Sequence, residues 1–159
     1  VQTGAIEELL QWHPAEPAML FHIPPGTIHA IGPGISLLEV QQASDITYRL
    51  YDYGRPRELH LADGAAVADA RPFPSSQQTR VDRETSAILL DANLFKIAQL
   101  TDDNCELTID PGEDMLVLPI AGMMMAEGKE ARVGDCLLVR RDARLEPGPR
   151  SRALLAWHK

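Results

Sequence analysis

The chain has 159 residues, 45% of them apolar, and a formal net charge of −8. That length accommodates one large domain or two small ones around a packed core. The acidic balance argues against a nucleic-acid partner, which calls for a basic surface, and the lack of any run of eighteen apolar residues argues against a membrane-spanning helix.

An acidic average leaves room for an anionic substrate wherever arginines cluster. Two cysteines, Cys105 and Cys136, form no metal or disulfide spacing. They are expected to be small buried hydrophobes in a reducing cytoplasm. No secretory signal is read, and the chain opens on Val1 without an initiator Met. Twelve prolines and eleven glycines in short bursts predict many turns and short strands.

In chain order, Gly4 to Trp12 carries apolar residues at 6, 9, 10 and 12 and early acids, the pattern of a short amphipathic helix that Pro14 and Pro17 stop. His13 is expected to be solvated. Met19 to Ile23 reads as a strand, Pro24-Pro25-Gly26 as a tight turn and Gly32-Pro33-Gly34 as a second turn. Ile35 to Gln41 and Thr47 to Tyr53 read as further strands. Asp63 to Thr85 lacks a clear period and reads as a linker, with a piece of strand near Ala65 to Val67. Six strands are then expected at Asn93–Leu100, Cys105–Ile109, Met115–Ile120, Lys129–Val133, Cys136–Val139 and Arg152–Trp157. Turns at 110–112, 122, 127–128, 134–135 and 147–148 separate them, spacing that argues an all-β barrel or sandwich. Met123-Met124-Met125 reads as a hairpin or an interface.

The two halves echo each other. Leu20 to Ile23 matches Cys136 to Val139 at an offset of 116 residues, and the later Pro33-Gly34 is echoed by Pro147-Gly148. At that offset Pro24, Gly26 and His29 become Arg140, Asp142 and Leu145, so the second copy lacks the histidine. Counterparts of the strands at 95–120 would lie at about −21 to 4, almost all of them before Val1. A longer protein is expected, in which this chain supplies half of one barrel and the whole of a second.

The chemistry-bearing residues cluster in Phe21 to Arg57. His29 follows a turn of the form P-x-G-x-x-H, which resembles the second half of a cupin motif. It reads either as a metal ligand, since neutral imidazole suits zinc, or as a hydrogen-bonded barrel histidine. Arg49 lies twenty residues further on and reads as a fork for a substrate oxyanion or phosphate, or as a salt-bridge partner of Glu39 or Asp45. Glu39 reads as a general base, as an orienter of His29, or as a cross-strand partner. Asp45 reads as a turn cap. Arg55 and Arg57 flank Pro56 in a basic pair that either reaches a phosphate or is solvated. His22, His60 and His158 are expected at the surface.

The run IPPGTIHAIGPGISLLEVQQASDITYRLYDYGR resembles the type I mannose-6-phosphate isomerases of the short bacterial kind. The G-T-x-H-A-I turn is met by Gly26, Thr27, His29, Ala30 and Ile31. The E-x-Q-Q-N-S-D-x-T-Y-R-L-Y-D-Y run is met from Glu39 to Tyr53, with Ala43 where the family has Asn. The resemblance implies a zinc enzyme that interconverts mannose 6-phosphate and fructose 6-phosphate through a cis-enediol. It implies His29 as a zinc ligand, Arg49 as the active-site arginine and Glu39 as a site acid. It also implies that the remaining zinc ligands and a site lysine come from an N-terminal region not found here. The expected fold is all-β and cupin-like (jelly-roll): half of a catalytic cupin over 1–62, a linker over 63–86 and a degenerate C-terminal cupin over 87–159, with a short N-terminal helix. A non-catalytic sugar-phosphate-binding cupin module and a different metal-dependent cupin enzyme are the alternatives. The protein is expected in the cytoplasm, with a sugar phosphate as partner and neither nucleic acid nor membrane.

Overall fold

The structure is a computed structural model, and it describes residues 5–102, 107, 109 and 114–159. The chain divides into two compact units, Val1–Arg80 and Val81–Lys159. Among the described residues there are ten strands in three sheets and one α-helix, so the all-β class expected from the sequence holds. Cys105 and the turn expected at 110–112 lie outside the described residues, as does most of the strand expected at Cys105–Ile109.

The second unit is built around its last strand. Eight strands form it: β3 (Ala87–Asp91), β4 (Phe95–Thr101), β5 (Asp114–Ala121), β6 (Met123–Ala126), β7 (Lys129–Arg132), β8 (Leu137–Arg140), β9 (Leu145–Pro147) and β10 (Arg152–His158). β10 lies between β4 and β5 in a five-stranded antiparallel sheet of order β3-β4-β10-β5-β8. A second sheet, β7-β6-β9, is also antiparallel. Alternation along the strands sends Met115 and Val117, Ala153 and Leu155, and Ala98 and Leu100 into one core, which Trp157, Met124 and Val139 complete.

Pro119 can sit in β5 because the β8 pairing stops at Val117 and the β10 register slips beside it, so no ladder donor is required there. The methionine run is a hairpin strand. Glu127 and Gly128, both at positive φ, join β6 to β7 in the manner of a type I′ turn, and Met124 is fully buried. β3 and β9 were not expected from the sequence. Cys136 is exposed, contrary to its expected burial; it precedes β8, where the chain has not yet entered the sheet.

The first unit is different in kind. Among the described residues, none of its apolar side chains is fully buried. The N-terminal helix is a 3₁₀ turn over Ala5–Leu9, with Leu9 and Trp12 exposed; five residues with no core beneath them do not sustain an α-helix. β1 (Met19–Phe21) pairs with β2 (Gln78–Arg80). His22 and His13, expected in solvent, are half-buried against this pair through Gln77 and Gln78. The segments 35–41 and 47–53 form no strand. Their β-branched and aromatic residues suit a sheet, but no neighbouring strand among the described residues offers them a ladder. Ala65 to Val67, read as strand, belongs to α1 (Leu61–Val67), the helix of this unit.

The turn at Pro24–Thr27 closes as expected, with the Thr27 amide donating to the Pro24 carbonyl at 3.2 Å and Gly26 at φ +84°. This is the type II pattern, in which the third residue must tolerate positive φ. The Asp69 amide donates to the Gly26 carbonyl at 2.8 Å, and Thr27 bridges Asp69 in parallel. A Cβ at position 26 would meet the Val67 carbonyl oxygen at 2.7 Å.

Two outcomes follow for stability. Leu155→Ala, at the centre of the second unit's core, is expected to lower its unfolding free energy by about 2–5 kcal/mol. Urea titration followed by emission of the buried Trp157, in a Trp12→Phe background, measures this. Gly26→Ala is expected to cost roughly 1–2 kcal/mol from its backbone conformation alone. Amide exchange at Asp69 should accelerate by about tenfold or more, and unchanged exchange would contradict the assigned contact.

Candidate functional site

His29 emerges just beyond the Pro24–Thr27 turn and is exposed. Its Nδ1 lies 2.9 Å from the Thr27 carbonyl oxygen, an acceptor, so Nδ1 carries the proton and donates. In the neutral imidazole Nε2 is then the unprotonated nitrogen, and it faces away from that bond. A histidine ligand commonly has this arrangement, with one ring nitrogen tied to a backbone carbonyl and the other free to coordinate. Among the described residues, however, no three His, Cys, Asp or Glu side chains gather closely enough to hold a metal ion. The free Nε2 of His29 could hold one position on a metal ion, and the described residues supply no complete set of ligands.

Arg49 is half-buried and held at both ends. The His60 amide donates to the Arg49 carbonyl at 2.8 Å, and the Arg49 amide donates to His60 Nδ1 at 3.1 Å. Its guanidinium Nη1 donates to the Glu58 carbonyl at 3.2 Å. The ion pair with Glu39 or Asp45, considered from the sequence, is not formed. His60 is thus a positioning residue for the Arg49 backbone and not a surface histidine. It also stands at the N-cap position of α1, where its carbonyl accepts the first helical bond from the Gly64 amide at 2.8 Å. Gly64 is buried against Leu50 and Tyr48, so α1 braces the segment that carries Arg49. The sequence signal for this was weak: a histidine one residue before a short alanine-rich run.

Glu39 is exposed and makes no hydrogen bond or ion pair among the described residues. No hydrogen bond or ion pair joins His29, Glu39 and Arg49 to one another. What the structure does gather is a cluster around Asp52, which sequence reasoning passed over. Asp52 is only 4% exposed. The Arg57 Nε donates to its Oδ2 at 2.6 Å and Arg57 Nη2 to its Oδ1 at 2.5 Å, a two-point fork. Arg55 Nη2 reaches the same Oδ1 at 2.8 Å.

Local sequence makes this possible. Tyr53 and Gly54 both take positive φ, and the Arg55 amide donates to the Asp52 carbonyl at 2.9 Å, closing a tight reversal. The Arg57 amide then donates to the Arg55 carbonyl at 2.9 Å across Pro56, whose fixed φ suits that three-residue turn. The Tyr53 ring lies 5.9 Å from the Arg55 guanidinium and packs on Tyr51.

The Arg57 hydrogen bonds, with the charges of Arg55 and Arg49 behind them, outweigh burial and hold the Asp52 carboxyl below its usual range. Arg71 likewise holds Asp69 down at about 2. Because the folded-state value of Asp52 is depressed, its contribution to stability is complete above its unfolded value and is lost as pH falls through the folded one. Acid unfolding of the first unit, followed by tyrosine fluorescence, should therefore steepen only below about pH 4. Asp52→Asn should remove part of that limb and leave the profile between pH 5 and 8 flat. A wild-type acid limb identical to that of Asp52→Asn would show that the carboxylate is not engaged.

No protein-family model matches the chain, and no solved structure matches it. Curated proteins do. The chain is 40% identical over 104 residues to the mannose-6-phosphate isomerase ManA of Bacillus subtilis (strain 168), a match that covers 62% of this chain and 32% of that protein. It is 45% identical over 73 residues to the mannose-6-phosphate isomerase of Streptococcus mutans, covering 42% of this chain and 23% of that protein. The chain thus spans about a third or less of the length of these relatives. Among the described residues, no helix is long and apolar enough to cross a membrane. The resemblance read from the G-T-x-H-A-I turn and the tyrosine-rich run is borne out: over part of its length this chain is similar to mannose-6-phosphate isomerases.

Proposed function

We propose that the chain forms part of a zinc-dependent mannose-6-phosphate isomerase with a cupin-like fold, acting in the cytoplasm on mannose 6-phosphate and fructose 6-phosphate. The similarity to relatives of that name carries the reading, and the free Nε2 of His29 supports it. His29 would occupy one coordination position, with the others supplied by parts of the protein outside this chain. Exposed apolar residues such as Ile35, Leu37, Leu38 and Ile46 are the surface those parts would cover. Zinc, when bound, supplies Lewis-acid polarisation of the sugar oxygens.

The chain's own residues have separate tasks in this reading. Aldose–ketose isomerisation moves a proton between C1 and C2 through an enediol whose oxygens gain negative charge. Arg49, fixed by His60 and Glu58, keeps most of its N–H groups free to stabilise that charge. Glu39, an unpaired and accessible carboxylate, is suited to take the proton from one carbon and return it to the other. A second reading, a sugar-phosphate-binding module without turnover, draws on the intact arginine cluster and the incomplete ligand set.

The test is turnover and metal content of the full natural protein. It should interconvert the two sugar phosphates and carry about one zinc per chain. His29→Ala should lose the zinc and at least about a hundredfold in kcat. The isolated 159-residue chain should bind no zinc and show no turnover. Substrate binding without turnover in the full protein would favour the second reading, and full activity of His29→Ala would remove His29 from the metal site.

A further inference from the structure

We propose that Arg55 and Arg57, anchored on Asp52, form the subsite for the phosphate dianion of a phosphate monoester, with Asp52 as its positioning residue. Naming a sugar phosphate as the ligand rests on the isomerase reading. The anion chemistry stands on the geometry of the loop.

Two guanidiniums, those of Arg55 and Arg57, converge on one buried carboxylate, and the charge of Arg49 also acts on it. A structural ion pair needs one arginine. Here Arg57 alone saturates both oxygens of Asp52, and Arg55 adds a third bond to an oxygen already engaged. Among the described residues no other carboxylate pairs with Arg49, Arg55 or Arg57. Crowding two like charges around one counter-ion leaves an excess of positive charge, and a dianion relieves it.

The donors are also arranged for such a ligand. Arg57 and Arg55 each commit Nε and one N–H of Nη2, to the Asp52 side chain or its carbonyl, which leaves three N–H groups on each. Both side chains are about half exposed, at 49% and 59%, so those groups face solvent. The turn through Tyr53-Gly54 and the turn across Pro56 bring the two side chains to one carboxylate, and the Tyr53 ring backs Arg55. The rotamer freedom that two arginines lose on binding an anion is therefore already restricted, which favours affinity for a multi-acceptor oxyanion over a single carboxylate.

The experiment uses the full natural protein and measures calorimetric binding of inorganic phosphate beside KM and kcat for mannose 6-phosphate. Arg55→Ala leaves the Asp52–Arg57 fork in place, so it is the decisive variant. It should raise KM by about tenfold and weaken inorganic phosphate by a similar factor, with kcat changed less than about twofold. Arg57→Ala should do the same or more, and Arg57→Lys should recover only part. Asp52→Asn should weaken phosphate although it removes a negative charge. Electrostatics alone would make phosphate bind tighter there, and that result would overturn the positioning role. Normal turnover with KM and phosphate affinity indifferent to Arg55→Ala would sink the subsite and leave the isomerase reading standing. Absent turnover with phosphate binding that Arg55→Ala abolishes would do the reverse.

Discussion

The order of the first unit depends on a buried carboxylate where an ordinary domain would have a buried apolar core. Asp52 is the one charged side chain fully buried among the described residues, and it is buried in a unit whose apolar side chains are not. A carboxylate tolerates that position only when its lone pairs are filled by strong donors. Arg57 and Arg55 fill them, and the turn before Pro56 and the turn across it bring the two side chains there. Arg49, braced by His60 and α1, adds its charge to the same loop.

The second unit shows the opposite economy. Its last strand is its centre: β10 pairs on both sides, so closing the chain end into the sheet completes the core from Ala98 to Trp157. Ser151 stitches the neighbouring corner, accepting from the Met123 amide at 2.9 Å beside the positive-φ Gly122. Hydrophobic burial defines this unit, whereas turn geometry and charge-assisted bonds define the first. Functional loops are generally of the latter kind, since polar donors aimed outward serve a ligand better than a sealed core does.

The difference also decides what was legible in the sequence. β4, β5, β7, β8 and β10 were readable because alternation and turn residues agree with burial in the second unit. β3 and β9 were missed because neither Ala87–Asp91 nor Leu145–Pro147 holds a fully buried residue to mark a core face. In the first unit, 35–41 and 47–53 have strand composition, yet composition supplies no hydrogen-bonding neighbour, and none of the described residues does. The Pro24–Gly26 turn, with His29 just beyond it, was legible from local chemistry alone. The role of His60 was not, because its bonds to Arg49 span eleven residues and depend on how the chain doubles back. Asp52 was hidden for the same reason: an aspartate between two tyrosines carries no sign of burial until the arginines that hold it are placed.

A crystal structure of the full natural protein with mannose 6-phosphate bound tests the account most directly. His29 Nε2 is expected on the metal, the phosphate in contact with Arg55 and Arg57, and Asp52 still forked by Arg57. A phosphate seated elsewhere with Arg55 and Arg57 in solvent, or a metal bound without His29, would contradict it.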